Sequence, residues 1–553
     1  MFHLKKQGRS PLLTTLRKAF QIAKQSQKAN NPPFDELVEM HAQPHLHRRK
    51  FVGDVVKTGV AISAMSIFNA CRKADELIPP APPPNQLAGR KSNQPKIAII
   101  GAGIAGLNCA YQLKKSGLSS AVYEASSRIG GRIFTKKDIL APGLYTELGG
   151  EFIDSEHKDM LKLCREFGLQ LLDTQSSEEK RFVRDSFYIN GRFYSEAEVI
   201  KAFRPYASRI EADINSLPDE MTYDNYNAAT LRFDRMSING YLNSIGMTGF
   251  IREGIETAYL TEYGLETDVQ SSINFLFLFS ADTSQGFDIF GTSDERYKIE
   301  GGNQRLTDLL YKQVKDDVST EHQLVKIKET RGGYSLFFNK GNGATTTVNA
   351  DIVVSAIPFT LLRDVELDVD LPGWKKNAIK NLGYGTNSKL LLGFNKRVWR
   401  NYDHSGNVYT DKAIQTGWDN SWAQPGKSGG YTVFQGGNKG LTLGLGTPES
   451  QAPKFIEQLN QMWPGSRSAY NGNVKRMHWP TYPYTRGSYA CYKVGQYTTI
   501  RGAEIKPVGN LLFAGEHCSA DYQGFMNGAA ETGRFAAEKI IKRIKESKYY
   551  VVN

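Results

Sequence analysis

The sequence predicts a mixed α/β and α+β chain: a parallel-sheet unit interrupted by a helical lobe and by a mixed sheet. Three observations carry this reading. A short apolar strand runs into a glycine turn and a helix at 96–117, and a second buried strand, "ADIVVSAIP" (350–358), returns to the same unit much later. Between and after them, residues 155–290 show mainly helical periodicity, and residues 386–500 alternate short strands with Gly/Pro/Asn turns. At 553 residues the chain exceeds one ordinary core, so two or more packed units are expected.

Composition is globular, with 40% hydrophobic and 23% charged residues. The net charge of +12 first suggests nucleic acid or membrane. The first ninety residues, however, hold fourteen basic and six acidic groups, so residues 91–553 carry only +4. The basicity belongs to a leader, and no nucleic-acid partner is expected. That leader contains "HRRKFVGDVVKTGVAISAMSIFNAC" (47–71), in which Arg48 and Arg49 precede Phe51 and a weakly apolar run. It reads as a twin-arginine export signal, an address for a receptor and not part of the fold. The run is short and interrupted by Lys57, so a stable membrane span is not expected. Periplasmic or secreted localisation follows. Cys71 sits at a weak likeness of a lipoprotein cleavage site, with Asn69 a poor fit, and "PPAPPP" (79–84) is a stiff linker. Twin-arginine export carries folded proteins, often with a cofactor inside. The five cysteines show no framework or metal-type spacing, so Cys109, Cys164, Cys491 and Cys518 are expected as buried thiols and no metal is expected.

The folded body is expected to start near Pro95. "KIAIIGAGIAGLNCAYQLKKSG" (96–117) is a strand, a glycine turn and a helix. Gly101 makes the tight turn, Gly103 lets backbone approach a pyrophosphate, and Gly106 lets the helix pack close to the strand, with Ile104 and Ala105 opening the helix. Phosphates would sit at the positive helix N-terminus. The strand "SAVYEA" ends in Glu124 and Ala125, about twenty residues on, where an acidic residue accepts hydrogen bonds from a ribose. This is a Rossmann-like dinucleotide unit. A second glycine turn, "EASSRIGGRIFT" (124–135), follows the ribose carboxylate directly, which a nicotinamide dinucleotide site does not need.

"YSEAEVIKAFRPYASRIEADINSL" (194–217) is a helix with a capping box, Ser195 with Glu198. "KLLLGF" and "LTLGLGT" read as strands of the later sheet. In "EHCSADYQGFMNGAAETGRFAA" (516–537) a helix begins with the large aromatic Phe525, which makes sense if something flat and apolar lies beyond its N-terminus.

Taken together, residues 96–545 resemble the flavin amine oxidase family, and most of all bacterial exported L-amino acid oxidases. The resemblance implies non-covalent FAD. Gly130, Gly131 and Arg132 would contact its pyrophosphate, and the "LGGEF" segment with Gly149, Gly150, Glu151 and Phe152 would run along the flavin. Gly515 and Glu516 match the family's final Gly-Glu, Glu516 meeting the ribityl chain. Backbone N–H groups of Gly524, Phe525 and Met526 would face flavin O2 and N1. Ser488 stands where monoamine oxidases carry the cysteine that bonds the flavin.

For the chemistry, Lys389 is a lone lysine on an apolar strand, where an unpaired buried ammonium is costly and burial lowers its pKa. The resemblance gives it the role of holding a water against flavin N5. Tyr489 and Phe525 would form an aromatic slot over N5, with Phe152 beside the substrate. L-amino acid oxidases carry Met-Arg where this chain has Glu151-Phe152, so the usual carboxylate clamp is missing. Arg486 is the substitute considered, while Glu151 and Asp154 would suit a cationic amine.

The expected activity is oxidation of bulky L-amino acids at Cα–H, giving 2-oxo acid, ammonia and H2O2 from O2. The alternatives are a monoamine or polyamine oxidase and, further off, a carotenoid-desaturase-like or protoporphyrinogen-type flavoenzyme. The expected layout is a leader and linker at 1–94, then FAD-binding parts at 95–150, 291–384 and 501–545. A helical lobe and substrate-domain part would fill 151–290, a substrate-binding domain 385–500. A homodimer is the expected assembly.

Overall fold

The five-stranded parallel sheet at the heart of the molecule is ordered Leu511–Phe513, Ile352–Ser355, Ile97–Ile100, Ala121–Tyr123, Val318–Ser319. Its strands Leu511–Phe513, Ile352–Ser355 and Ile97–Ile100 are buried throughout, as parallel strands covered on both faces must be. This computed structural model describes residues 94–277 and 294–546. Arg48, Arg49, Cys71, the proline stretch and residues 278–290 of the expected helical segment lie outside the described residues. From Pro95 on, the described residues fall within one compact unit, and the second unit, Ile22–Gln94, lies almost wholly outside them.

The helix Ile104–Lys115 leaves the first strand, and the last helix, Met526–Lys545, packs on it. Asn108 Nδ2 donates to the Ala530 carbonyl at 2.7 Å, fixing the pair. Beside this core stands an antiparallel unit, His322–Thr330, Gly333–Lys340 and Thr345–Ala350, with Glu366–Asp368 parallel at its edge.

The second large sheet has seven strands in the order Tyr470–His478, Ser388–Phe394, Gly429–Gln435, Thr416–Asp419, His404–Thr410, Val183–Ile189, Arg192–Tyr194. It is mixed, because Val183–Ile189 pairs parallel with His404–Thr410 while the other pairs are antiparallel. The helix Pro448–Met462 covers it, burying Phe455, Ile456 and Leu459 against Leu390, Leu392 and Trp399.

Two expectations need correction. Residues 155–290 open with the helix Lys158–Glu166, but the stretch from 171 to 194 is not mainly helical, since Leu171–Asp173, Val183–Ile189 and Arg192–Tyr194 are strands. Leu171–Asp173 and Val183–Ile189 pair with Tyr297–Ile299 and His404–Thr410, partners far away in sequence, and Arg192–Tyr194 forms a hairpin with Val183–Ile189. The helices follow: Glu196–Asn215, capped by Ser195 and Glu198 as the motif predicts, then four shorter ones. "LTLGLGT" is likewise no strand. It closes the short helix Gly437–Thr442, because Leu441 and Leu445 are exposed and no neighbouring strand edge takes up the segment. Cys109, Cys164, Cys491 and Cys518 are buried free thiols. Among the described residues no helix is long and apolar enough to cross a membrane, and no cluster of three or more His, Cys, Asp or Glu is placed to hold a metal.

Candidate active site

One continuous cavity runs from the end of Ala121–Tyr123 to the face of the seven-stranded sheet. Its first half is built by the glycine turns. A side chain on Gly106 would collide with the Gly101 carbonyl oxygen, so glycine there lets the helix start directly against the turn. A Cβ on Gly103 would meet nothing but Gly131 Cα, at 3.9 Å, so both residues leave bare backbone where they line the cavity. Bare backbone facing a crevice at a helix N-terminus suits a pyrophosphate. Glu124 is fixed at the far end by N–H groups of Ala102 and Ser126, at 2.8 and 2.9 Å, and by the Ser126 hydroxyl. A carboxylate accepts about four hydrogen bonds, so capacity is left for a ribose. The crevice fits FAD.

The same half holds Arg132, Glu516 and the residues before the last helix. Arg132 donates to Glu516 Oε1 at 2.8 Å and to the Ser488 carbonyl at 2.7 Å. This bond locks the second glycine turn to the C-terminal Gly515–Glu516 segment across a long sequence interval. One expectation changes here. The Gly524 N–H donates to Glu516 Oε2 at 2.8 Å and the Phe525 N–H to the Tyr522 carbonyl at 3.1 Å, so neither points freely into the cavity. Phe525 is the N-cap residue, and Met526 begins the first turn, whose N–H groups have no intrahelical acceptor. Ser488 Oγ donates to Asn387 Oδ1 at 2.7 Å.

The second half is floored by the seven-stranded sheet. Its register sets Lys389 opposite Phe434, Phe434 opposite Thr416, and Thr416 opposite Tyr409. Side chains directly opposite one another share a face, so this row presents one lysine and two aromatics to the cavity. Trp418, two residues from Thr416, falls on the same face and packs against Phe434 and Phe152 at centroid distances of 5.3 and 6.1 Å. Tyr489 and Phe525 line the same space, Tyr489 donating to the Thr261 carbonyl at 3.2 Å. Asp154, Glu262 and Glu295 add carboxylates to this half.

Lys389 is not the lone ammonium that its apolar strand suggests. Its Nζ lies 3.0 Å from Glu151 Oε2 and donates to the carbonyls of Gly149 and Glu147 at 2.9 and 3.2 Å. The other oxygen of Glu151 accepts from Lys298 Nζ at 2.9 Å, and all three side chains are buried. Burial alone would raise the Glu151 pKa, but the two ammoniums hold it below the ordinary carboxylate value. Glu151 is therefore spoken for by lysines of the protein itself and is not available as a contact for a cationic amine. Arg486 lines the cavity, is half exposed and is ion-paired with Asp364, so its charge already has a partner at the protein surface.

Lys298, Trp418, Phe434, Tyr409 and Glu262 carry no sequence motif. Their only signal is cross-strand register and helix packing, which appear once the sheet is assembled.

A parallel-sheet dinucleotide crevice opening onto an aromatic pocket with a buried lysine defines a flavin-dependent oxidoreductase. The family model for flavin-containing amine oxidoreductases matches residues 104–541, and the chain belongs to that family. It is an FAD enzyme. A flavin-containing amine oxidase from Oncorhynchus mykiss is 24% identical over 458 residues, covering 80% of this chain and 85% of that one. Polyamine oxidase 3 of Oryza sativa subsp. japonica is 25% identical over 475 residues, covering 83% and 91%. Among solved structures, wild-type putrescine oxidase bound to putrescine has a TM-score of 0.68 at 20% identity, covering 82% of this chain and 100% of that one. Cyclohexylamine oxidase from Brevibacterium oxydans has a TM-score of 0.69 at 18% identity, also over 82% and 100%. These structures share the fold.

Proposed function

We propose that this protein oxidises amines that carry no carboxylate on the reacting carbon. One observation carries the reading: the substrate half of the cavity is lined by Asp154, Glu262 and Glu295, while every arginine of the cavity is already engaged. Arg128 is held by the carbonyls of Ile129, Gly131 and Ile133, Arg132 by Glu516, and Arg486 by Asp364. A buried substrate carboxylate without a cation would cost several kcal/mol, on the order of 2–7. An ammonium in a cavity whose lining is this acidic meets no such cost, even with Asp154 already accepting the Glu295 N–H. That the similar proteins named above are amine, polyamine, putrescine and cyclohexylamine oxidases supports the same reading.

Bound in the crevice, FAD would supply the hydride acceptor and the redox link to O2, with H2O2 as the reduced product. The chain's own residues do the rest. Phe152, Trp418, Phe434, Tyr489 and Phe525 exclude water and hold the carbon skeleton by apolar burial. Lys389 spends its three donors on Glu151 and the Gly149 and Glu147 carbonyls, so it serves as a fixed positive charge at the cavity wall. The amine loses a hydride from carbon and a proton from nitrogen, and water hydrolyses the released imine to carbonyl compound and ammonia.

Bulky L-amino acids remain the second reading, favoured by one observation. Lys298 and Lys389 share a single carboxylate, so one positive charge of the trio is not neutralised and could face a substrate carboxylate. H2O2 release from phenethylamine and putrescine, beside L-Phe, L-Leu, L-Met and L-Trp and their D-enantiomers, separates the two. The amines should be faster. An L-amino acid that outruns both amines overturns the main reading in favour of the second.

A further inference from the structure

Lys298 does not line the cavity, yet it is among the largest fully buried side chains of the protein. It stands in the strand Tyr297–Ile299, whose Ile299 faces the dinucleotide core. Its ammonium donates to Glu151 Oε1 at 2.9 Å and to the Asn420 carbonyl at 2.7 Å, and it lies 5.6 Å from the centre of the Phe152 ring. Lys389 holds the second Glu151 oxygen and lies 5.2 Å from the centre of the Trp418 ring. A buried ammonium is retained only where its charge is met. Here one carboxylate meets two, and each lysine takes one oxygen.

We propose that Lys298 is a positioning residue that acts through Glu151 to hold Lys389 in place. With Oε1 anchored to Lys298, and Lys298 itself anchored to Asn420, the Glu151 carboxylate cannot swing round. Its Oε2 is thereby presented to Lys389 from a fixed side, while the Gly149 and Glu147 carbonyls hold the ammonium from the other. Sharing the carboxylate also leaves Lys389 incompletely neutralised, so its charge is felt at the cavity wall. The other ionisable group facing this trio is Glu147, whose carboxylate is bound by Thr135 Oγ1 and the Asn303 N–H and whose pKa burial pushes up to about 7. The inference rests on the role assigned to Lys389 above, not on the identity of the substrate.

The test compares holoenzymes of wild type, Lys298→Met, Lys389→Met and the double variant, and needs no amine. Each is reduced anaerobically with dithionite and mixed with O2, and the reoxidation rate is followed by flavin absorbance. In parallel, sulfite is titrated into the oxidised protein, since its anionic flavin adduct responds to a nearby positive charge without turnover. Lys298→Met should slow reoxidation about tenfold and weaken the sulfite adduct severalfold in the wild-type background. In the Lys389→Met background both effects should shrink below twofold, because the group being positioned is gone. Undiminished effects in both backgrounds mean that Lys298 acts directly or structurally and overturn this inference alone. A neutral Lys389→Met overturns the Lys389 role and the inference together. Lys298→Gln, which keeps a donor toward Glu151, is read in the same way should the methionine variant lose FAD.

Discussion

His157 and Phe525 meet edge to face, their ring centroids 4.9 Å apart and their planes at 66°. Each directly precedes a helix, Lys158–Glu166 and Met526–Lys545. The contact therefore braces the aromatic wall of the cavity from behind. Burial holds the His157 pKa down at about 3, so the ring is neutral, and its Nδ1 accepts from the Asp154 N–H at 2.9 Å.

The sign of the pH effect follows. A histidine whose folded pKa lies below its unfolded value of 6.5 contributes stability that is present above pH 6.5 and lost as the pH falls toward 3. His517, lowered by burial to about 4, acts in the same direction, whereas Glu147 and Glu531, raised by burial to about 7, act in the opposite one. Substituting His157 removes only its own share. The thermal midpoint of His157→Leu should fall less steeply than wild type between pH 6.5 and 4, and parallel curves would count against a neutral, buried imidazole.

Gly106→Ala should abolish FAD binding or soluble expression. The added methyl would overlap a backbone carbonyl at the glycine turn, and backbone cannot step aside as a flexible side chain can. Flavin absorbance of the purified variant is the measurement. A protein that remains as yellow as wild type would show that the turn tolerates the group.

Lys389→Met should keep FAD and lose roughly tenfold or more in turnover, the scale expected when one preorganised charge beside the reacting centre is removed. The fold is expected to survive because Glu151 would still pair with Lys298, leaving a neutral buried couple. Glu151→Gln should be the harsher change for stability. It leaves two buried ammoniums facing each other, and breaking a buried pair typically costs about 3–5 kcal/mol. Thermal unfolding of the two variants ranks them, and the reverse order would refute the shared-carboxylate account.

Denaturation should release free FAD. The position before Tyr489 holds Ser488, a hydroxyl already donating to Asn387, and Cys491 is buried three residues later. Acid-precipitated protein should be colourless and its supernatant yellow; flavin retained on the pellet would contradict this.

Export by the twin-arginine route is proposed from Arg48 and Arg49. Arg48→Lys with Arg49→Lys should leave the enzyme inside the cell, as read by fractionation of activity. Unchanged export of that variant would assign the leader another role.

What was legible in the sequence is what local chain chemistry decides. The turn at Gly101, Gly103 and Gly106 is a matter of backbone space within six residues, and the capping box of Ser195 and Glu198 closes within four. Glu124 belongs to the same class, because the strand carrying it pairs with the strand that opens the turn. Lys389 could be recognised as a candidate because an ammonium on an apolar strand violates the cost of burying charge. Its partners could not be recognised. Glu151 and Lys298 come from other strands and turns, and which carboxylate oxygen meets which ammonium is set by how two sheets close around one cavity. The aromatic floor has the same origin. Trp418 and Phe434 share the cavity face because of the register of Thr416–Asp419 against Gly429–Gln435, and a one-residue slip between the two strands would put the rings on opposite faces. The run "LTLGLGT" shows the limit from the other side: its β-like composition is overruled because its carbonyls meet the Arg476 and His478 side chains of the edge strand Tyr470–His478 and not that strand's backbone. Backbone turns and caps are satisfied by near neighbours and so are written locally, whereas buried charges and pocket walls are satisfied across the fold and are decided only when distant strands come into register.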